Sequence, residues 1–279
     1  MNLPDPRQRL ARPDLADRRL EGQVRAAAYA AVRPMRCAAP ATGLHEAPDP
    51  ASVQQDQLLY GETFDVLDMR NGWAWGQARR DGYVGFVRSD ALALGREAPT
   101  HRVRALRTVG LTAPELKAAA RGVYSMNALV AAGEERDGWL DAGQAGWIFA
   151  RHLAPLGRFE AEPAAVAERY FGTPYLWGGR DSVGIDCSGL IQQAFYACGR
   201  ACPRDADQQM DAFPVAVEPD ALQRGDLVFW DGHVGMMLDD ERLLHANSHH
   251  MAVAIERLSA VVERNIGAGV GEPLGARRV

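Results

Sequence analysis

Cys187 stands in Gly184-Ile185-Asp186-Cys187-Ser188-Gly189-Leu190, just ahead of a stretch whose apolar residues Leu190, Ile191, Ala194 and Phe195 recur at helical spacing and which stops at Gly199. A sulfur at a helix N-terminus meets unpaired backbone N–H groups and a positive potential, which favour a thiolate and an oxyanion beside it. Asp186 and Ser188 supply oxygens able to cap that helix. Such a cysteine needs a base to become a nucleophile, and two imidazoles are candidates. His233 opens the run that ends at Leu238, and His245 closes Arg242-Leu243-Leu244-His245, with Asp239-Asp240-Glu241 between them. The two runs read as strands of one hairpin. A loop of odd length centred near Asp239 sets His233 directly opposite His245 on one face, side chains about 5 Å apart, whereas a two-residue loop at Asp239-Asp240 separates them. In the first register His245 orients His233 and His233 deprotonates Cys187, which is the nucleophile, base and orienter of covalent catalysis.

The elements around these residues follow from periodicity. Glu162 to Tyr170 is helical in period, as is Cys187 to Cys198, and strand-like runs dominate from there to Ile255. Helices first and antiparallel strands afterwards indicate an α+β domain rather than a parallel sheet.

Before Pro155 the texture is different. Phe64 to Met69, Trp73 to Ala78 and Tyr83 to Val87 are short β-prone runs separated by Asn71-Gly72 and Asp81-Gly82, the strongest of hairpin signals. Arg70-Asn71-Gly72-Trp73 recurs as Arg136-Asp137-Gly138-Trp139, and Gly85-Phe86-Val87 recurs as Gly146-Trp147-Ile148, which implies two copies of one small β-barrel, the alternative being one irregular β domain. The tryptophan after each turn and the aromatic after each later glycine are expected to face a shared core. These runs resemble bacterial SH3-like domains in series. The expected organisation is a polar, loosely held lead-in at 1–22 with a short helix through Pro13-Asp14-Leu15-Ala16-Asp17, SH3-like barrels at 23–97 and 98–156, and the α+β domain at 157–279.

Composition narrows the function classes. Hydrophobic residues make up 47% and charged ones 24%, which indicates a folded globular chain. A net charge of -5 argues against nucleic-acid and anionic-membrane partners, since both attract a basic face. The opening residues contain no apolar signal segment, so a cytoplasmic location is expected, with Cys37, Cys187, Cys198 and Cys202 as reduced thiols. Cys198 and Cys202 do not have the spacing of a zinc knuckle even with His245, His249 and His250 nearby, and no metal or other cofactor is expected.

The motifs together are more specific than any one of them. Tyr175-Leu176-Trp177-Gly178-Gly179, Asp186-Cys187-Ser188-Gly189-Leu190, Pro203-Arg204-Asp205, Gly225-Asp226-Leu227-Val228-Phe229, His233-Val234-Gly235 and His245-Ala246 occur in the order of the NlpC family of papain-like cell-wall peptidases. The resemblance covers about residues 160 to 265. With two SH3-like domains in front, the chain resembles the γ-D-glutamyl-L-diamino-acid endopeptidases of that family. The resemblance implies a papain-like catalytic domain in which Cys187, His233 and His245 are the triad and the Tyr175 hydroxyl helps hold the oxyanion. It also implies that Asp186 pairs with the free α-amine of an N-terminal L-Ala, that Ser188 and Trp177 contact substrate, and that Arg204 and Asp205 sit in a loop at the pocket rim. Ala206 follows where the family often has serine. Tyr83, supported by Glu62, would close the amine pocket. The implied partner is a cell-wall-derived peptide, L-Ala-γ-D-Glu-diamino acid, cut during murein turnover or recycling. An acyltransferase or amidase on the same Cys-His machinery, and a wall-peptide-binding protein with an inactive catalytic domain, are the alternatives.

Overall fold

The computed structural model describes residues 5–95 and 97–279, which fall into two compact units that meet in sequence between Leu156 and Gly157. Among the described residues no helix is long and apolar enough to cross a membrane.

In the N-terminal unit a seven-stranded antiparallel sheet runs, in spatial order, through residues 54–59, 41–45, 84–88, 73–78, 63–70, 33–37 and 92–93. Asn71 and Gly72, at φ 52° and 79°, make the tight turn between two of these strands, and Asp137 and Gly138, at 50° and 80°, repeat it later in the chain. Positive φ at both central residues matches the twist of a hairpin, which explains the Asn-Gly and Asp-Gly pairs. Leu44, Leu58, Phe64, Val66, Ala74 and Val87 fill the core behind the first sheet. The later strands form a five-stranded and a three-stranded sheet around Val103, Tyr124, Val130 and Ile148. The Leu129 amide donates to the Tyr60 carbonyl at 2.8 Å, tying this second group of strands to the first. Gly61 sits at that junction with φ 78°, and a Cβ there would lie 2.1 Å from the Leu129 carbonyl oxygen, so only glycine fits.

Two expectations are corrected in this unit. Trp73, Phe86, Trp139 and Trp147 lie outside the two core clusters, although Trp73 is itself buried. Alternation along the strands gives the inward positions to Ala74, Val87 and Ile148 and turns the large rings to the outer faces, where Arg88 lies over Trp73 and Arg136 over Trp147. Nor are residues 5–22 of the lead-in loose, or helical at Pro13–Asp17, residues 1–4 lying outside the described ones. Ala16–Asp17 is a two-residue strand paired in parallel with Tyr29–Ala30, and Leu10 and Ala16 are buried. Arg12 lies over the Trp75 ring and pairs with Asp68, while Gln8 exchanges side-chain and backbone hydrogen bonds with Gln77 and Asp81. An outward aromatic face left bare would expose a large apolar patch, and the lead-in covers part of it.

The C-terminal unit is an α+β layer. Its helices are α1 (Pro163–Glu168), α2 (Cys187–Ala197), α3 (Ala206–Ala212) and α4 (Leu258–Gly267). Its strands are β1 (Val215–Val217), β2 (Leu227–Trp230), β3 (His233–Met237), β4 (Arg242–Asn247), β5 (Ala252–Arg257) and β6 (Gly275–Arg278), antiparallel in the order β1-β6-β2-β3-β4-β5. The sequence periodicity led to α1 and α2 but not to α3 and α4. All eleven residues of α2 are buried, and the helix lies against α1, β3 and β4. Gly199, at φ 74°, ends it: its amide bonds to the Tyr196 carbonyl and that of Arg200 to the Phe195 carbonyl, the paired bonds of a glycine C-cap.

Candidate active site

The first requirement is that α2 begin at Cys187. The Asp186 carboxylate caps the helix, with Oδ1 accepting from the Gly189 amide at 2.7 Å and Oδ2 from the Gly178 amide at 2.8 Å. Gly189 must lack a side chain, because a Cβ would lie 2.3 Å from the Gly179 carbonyl oxygen. Arg204 closes the arrangement: its Nη1 donates to Asp186 Oδ1 at 3.0 Å and to Ser188 Oγ at 2.9 Å, and its Nη2 to Asp186 Oδ2 at 2.6 Å. Arg204 is therefore a fully buried clamp rather than a rim residue. The buried carboxylate of Asp186 has its countercharge inside the protein, so its burial does not require a substrate ammonium.

Cys187 is buried at the head of this helix, with Sγ 3.9 Å from the carbonyl oxygen of Gly232, the residue before His233. The helix terminus was expected to favour the thiolate. Burial acts the other way and wins: together with the Asp186 charge it pushes the thiol up to about 12, although the amides of Val234 and Ser188 and the Arg204 charge pull it down.

The hairpin carries the imidazoles. Met236 pairs with Leu244 and Met237 with Leu243, and the Leu238 amide bonds to the Arg242 carbonyl, so Asp239-Asp240-Glu241 is a three-residue loop centred on Asp240. The expected centre at Asp239 is one residue off. Continuing the observed register sets Gly235 across from His245, and His233 one pleat further along the same face. The two rings meet diagonally, His233 Nε2 lying 2.8 Å from His245 Nδ1 with ring centroids 5.1 Å apart, while the Leu243 side chain fills the space over Gly235. The indole of Trp230, opposite His233 on β2, packs against its ring at 5.8 Å. Burial first, then the neighbouring His245, pushes His233 down to about 3. Burial likewise lowers His245, against the pull of Glu256.

Glu256 was not singled out in the sequence. It lies on β5, where its Oε2 is 2.8 Å from His245 Nε2 and 3.3 Å from His250 Nε2, and Arg264 on α4 holds both its oxygens at 2.6 and 2.9 Å. Burial works to raise this carboxyl, and the hydrogen bonds from Arg264 and then His245 more than reverse that, holding it well below the usual glutamate range.

The remaining candidates are more scattered. Tyr175 is pinned through its amide to the Met251 carbonyl, and burial first, then the charges of Cys187 and Asp186, keep its phenol un-ionised. Trp177 is exposed. Asp205 occupies the N-cap position of α3 without a side-chain cap bond and is half-buried, and Ala206 begins the helix. Tyr83 packs in the core of the first sheet with Phe64 and Val87, and Glu62, also buried, accepts from the Leu59 amide at 3.0 Å. Cys198 and Cys202 flank the C-terminus of α2 and its following turn, and His249 and His250 lie exposed in the turn between β4 and β5.

Comparison with known proteins agrees with this geometry. Residues 172–266 match the NlpC/P60 family, and residues 44–92 match the bacterial dipeptidyl-peptidase SH3 domain. Dipeptidyl-peptidase 6 of Lysinibacillus sphaericus is 28% identical over 235 residues, 73% of this chain and 84% of that protein. The γ-D-glutamyl-L-lysine dipeptidyl-peptidase of Bacillus subtilis is 35% identical over 101 residues, 33% of this chain and 34% of that protein. An NlpC/P60 family protein from Bacillus cereus superposes with a TM-score of 0.75 at 21% identity, covering 88% of this chain and 99% of that one, which establishes the shared fold. Residues 172–266 are therefore an NlpC/P60 cysteine peptidase domain of papain-like fold, preceded at residues 44–92 by a bacterial SH3 domain.

Proposed function

We propose that the chain hydrolyses the γ-D-glutamyl-diamino-acid bond of cell-wall peptides that carry a free N-terminal L-Ala, in cytoplasmic murein turnover, and that residues 98–156 are a second SH3-like barrel. The observation that carries the reading is the 2.8 Å contact between His233 Nε2 and His245 Nδ1 on a strand whose preceding carbonyl abuts the Cys187 sulfur. With Nε2 engaged by His245, Nδ1 is the ring nitrogen left to take the thiol proton. As that proton moves to His233, Sγ attacks the carbonyl carbon of the D-glutamyl side-chain amide. The backbone N–H of Cys187 and the Tyr175 hydroxyl face the developing oxyanion, a role that suits a phenol held neutral. Collapse expels the diamino-acid amine with the proton from His233, and water, deprotonated by the same imidazole, hydrolyses the thioester.

The relatives named as dipeptidyl-peptidases support release of a two-residue N-terminal fragment. Asp186, held in place by Arg204, is the proposed partner of the substrate ammonium, and Asp205 belongs to the same loop as Arg204. Ser188 and Trp177 are the remaining proposed contacts. The test is incubation with L-Ala-γ-D-Glu-diaminopimelate and with its N-acetylated form. The expected result is release of L-Ala-D-Glu from the first only, reduced at least about 10³-fold in Cys187→Ala and in His233→Ala. Equal cleavage of both peptides removes the free-amine requirement, and undiminished cleavage by Cys187→Ala removes the mechanism.

A further inference from the structure

We propose that Glu256, clamped by Arg264, sets which nitrogen of His233 is bare, acting through His245 as a positioning residue of the reaction. The inference rests on the reading of His233 as the base for Cys187 and extends it by one strand and one helix.

An ionised carboxylate only accepts hydrogen bonds. Glu256 Oε2 lies 2.8 Å from His245 Nε2, so that nitrogen carries the hydrogen and donates it. A neutral imidazole has one N–H, which leaves His245 Nδ1 as an acceptor. The group 2.8 Å from Nδ1 is His233 Nε2, which must therefore be the donor, and the hydrogen of His233 resides on Nε2. Its Nδ1 is then a lone pair, the form a general base requires. Reversing the polarity at Glu256 reverses every step and places a hydrogen on His233 Nδ1, where it opposes the thiol proton.

The surroundings prevent Glu256 from losing this polarity. Arg264, projecting from α4, donates Nη1 to Oε1 at 2.6 Å and Nη2 to Oε2 at 2.9 Å, and a guanidinium only donates. The paired donors fix the carboxylate plane and keep it charged. His250, from the turn between β4 and β5, adds a third approach to Oε2 at 3.3 Å. On the other side, Trp230 packs against His233 and limits its rotation. The tautomer is thus decided by a group two imidazoles away from the proton that is transferred.

The discriminating variant is Glu256→Gln, which keeps shape and removes the second acceptor. Arg264 needs acceptors, so the amide turns its NH2 toward His245 and forces the opposite tautomers. In ¹⁵N-labelled protein at pH 7 we expect His245 Nε2 and His233 Nε2 to be protonated in the parent and both Nδ1 atoms to be protonated in the variant. We expect kcat on the L-Ala-γ-D-Glu-diamino-acid peptide to fall at least about 100-fold with KM within about threefold, and Glu256→Asp to keep the parent tautomers and recover part of the loss. A loss of activity without a tautomer change overturns the proposal in favour of simple scaffolding, and so does a tautomer change without loss. If the variant does not fold, the parent spectrum still decides: a bare His245 Nε2 overturns the assignment. His233→Ala separates the two layers, because full activity in that variant defeats the base reading itself, while activity lost there and kept in Glu256→Gln defeats only the role of Glu256.

Discussion

At the residue scale, burial favours the neutral forms of both the Cys187 thiol and the His233 imidazole, the proposed nucleophile and base. A thiol raised to about 12 beside an imidazole lowered to about 3 rests as S–H and bare nitrogen, not as a thiolate-imidazolium pair. The sign of the pH dependence follows. His233 is competent above its lowered pKa, so the acid limb of kcat/KM lies below the 6.5 of an ordinary histidine, while uncatalysed thiolate appears only above the range of an ordinary cysteine. Alkylation of Cys187 by iodoacetamide, followed by mass spectrometry, is expected to climb about tenfold per pH unit through the alkaline range, with no plateau between pH 5 and 7. A plateau there would reveal a preformed ion pair. Cys187, His233 and His245 were legible in the sequence for a physical reason: the histidines are twelve positions apart, and any odd-length loop between their strands leaves them on one face, so a one-residue shift of the loop centre keeps them together. Glu256 was not legible, because its pairing depends on a turn containing Met251 at φ 49°, which no sequence signal marks.

At the scale of elements, the site is the meeting of one helix start and one hairpin, and the helix start is the more constrained. Asp186 and Arg204 tie the first turn of α2 down through the Gly189 and Gly178 amides and the Ser188 hydroxyl. Gly189→Ala forces the Gly179 carbonyl and the first turn apart, since 2.3 Å is far inside contact distance. We expect a stability loss of about 1–3 kcal/mol in urea unfolding and a fall in kcat/KM of about 100-fold, the cost of displacing a reacting atom by about 1 Å. Near-parent activity in this variant would show that the sulfur tolerates a moved helix. α1 and α2 could be read from apolar periodicity, and α2 also from its cap residues. α3 and α4 could not: α3 is a short polar Ala-Asp-Gln-Gln-Met-Asp-Ala, and α4 follows β5 directly from Arg257 with no side-chain cap.

At the scale of the whole molecule, both units were visible from the change of texture near Pro155, but the handling of the aromatic residues in the first was not. Tryptophans at strand positions suggest a core, yet the inward positions belong to alanine, valine and isoleucine. The lead-in is correspondingly part of the fold. Leu10 is only 2% exposed, and Leu10→Ala is expected to lower the stability of the N-terminal unit by about 2–4 kcal/mol in equilibrium urea unfolding. A change below about 0.5 kcal/mol would show that the segment peels off before the sheet melts.

The three-residue loop at Asp239-Asp240-Glu241 also constrains how related sequences can diverge. Its composition is open to drift at the exposed Asp240 and Glu241, though not at Asp239, whose Oδ1 accepts from the Glu241 and Arg242 amides. Its length is not, because gaining or losing a single residue there would turn one imidazole to the wrong side of the sheet, whereas a change of two would preserve the pairing. Insertions and deletions in this hairpin should therefore survive in even steps, so that the parity of a surface turn is inherited along with the chemistry it serves.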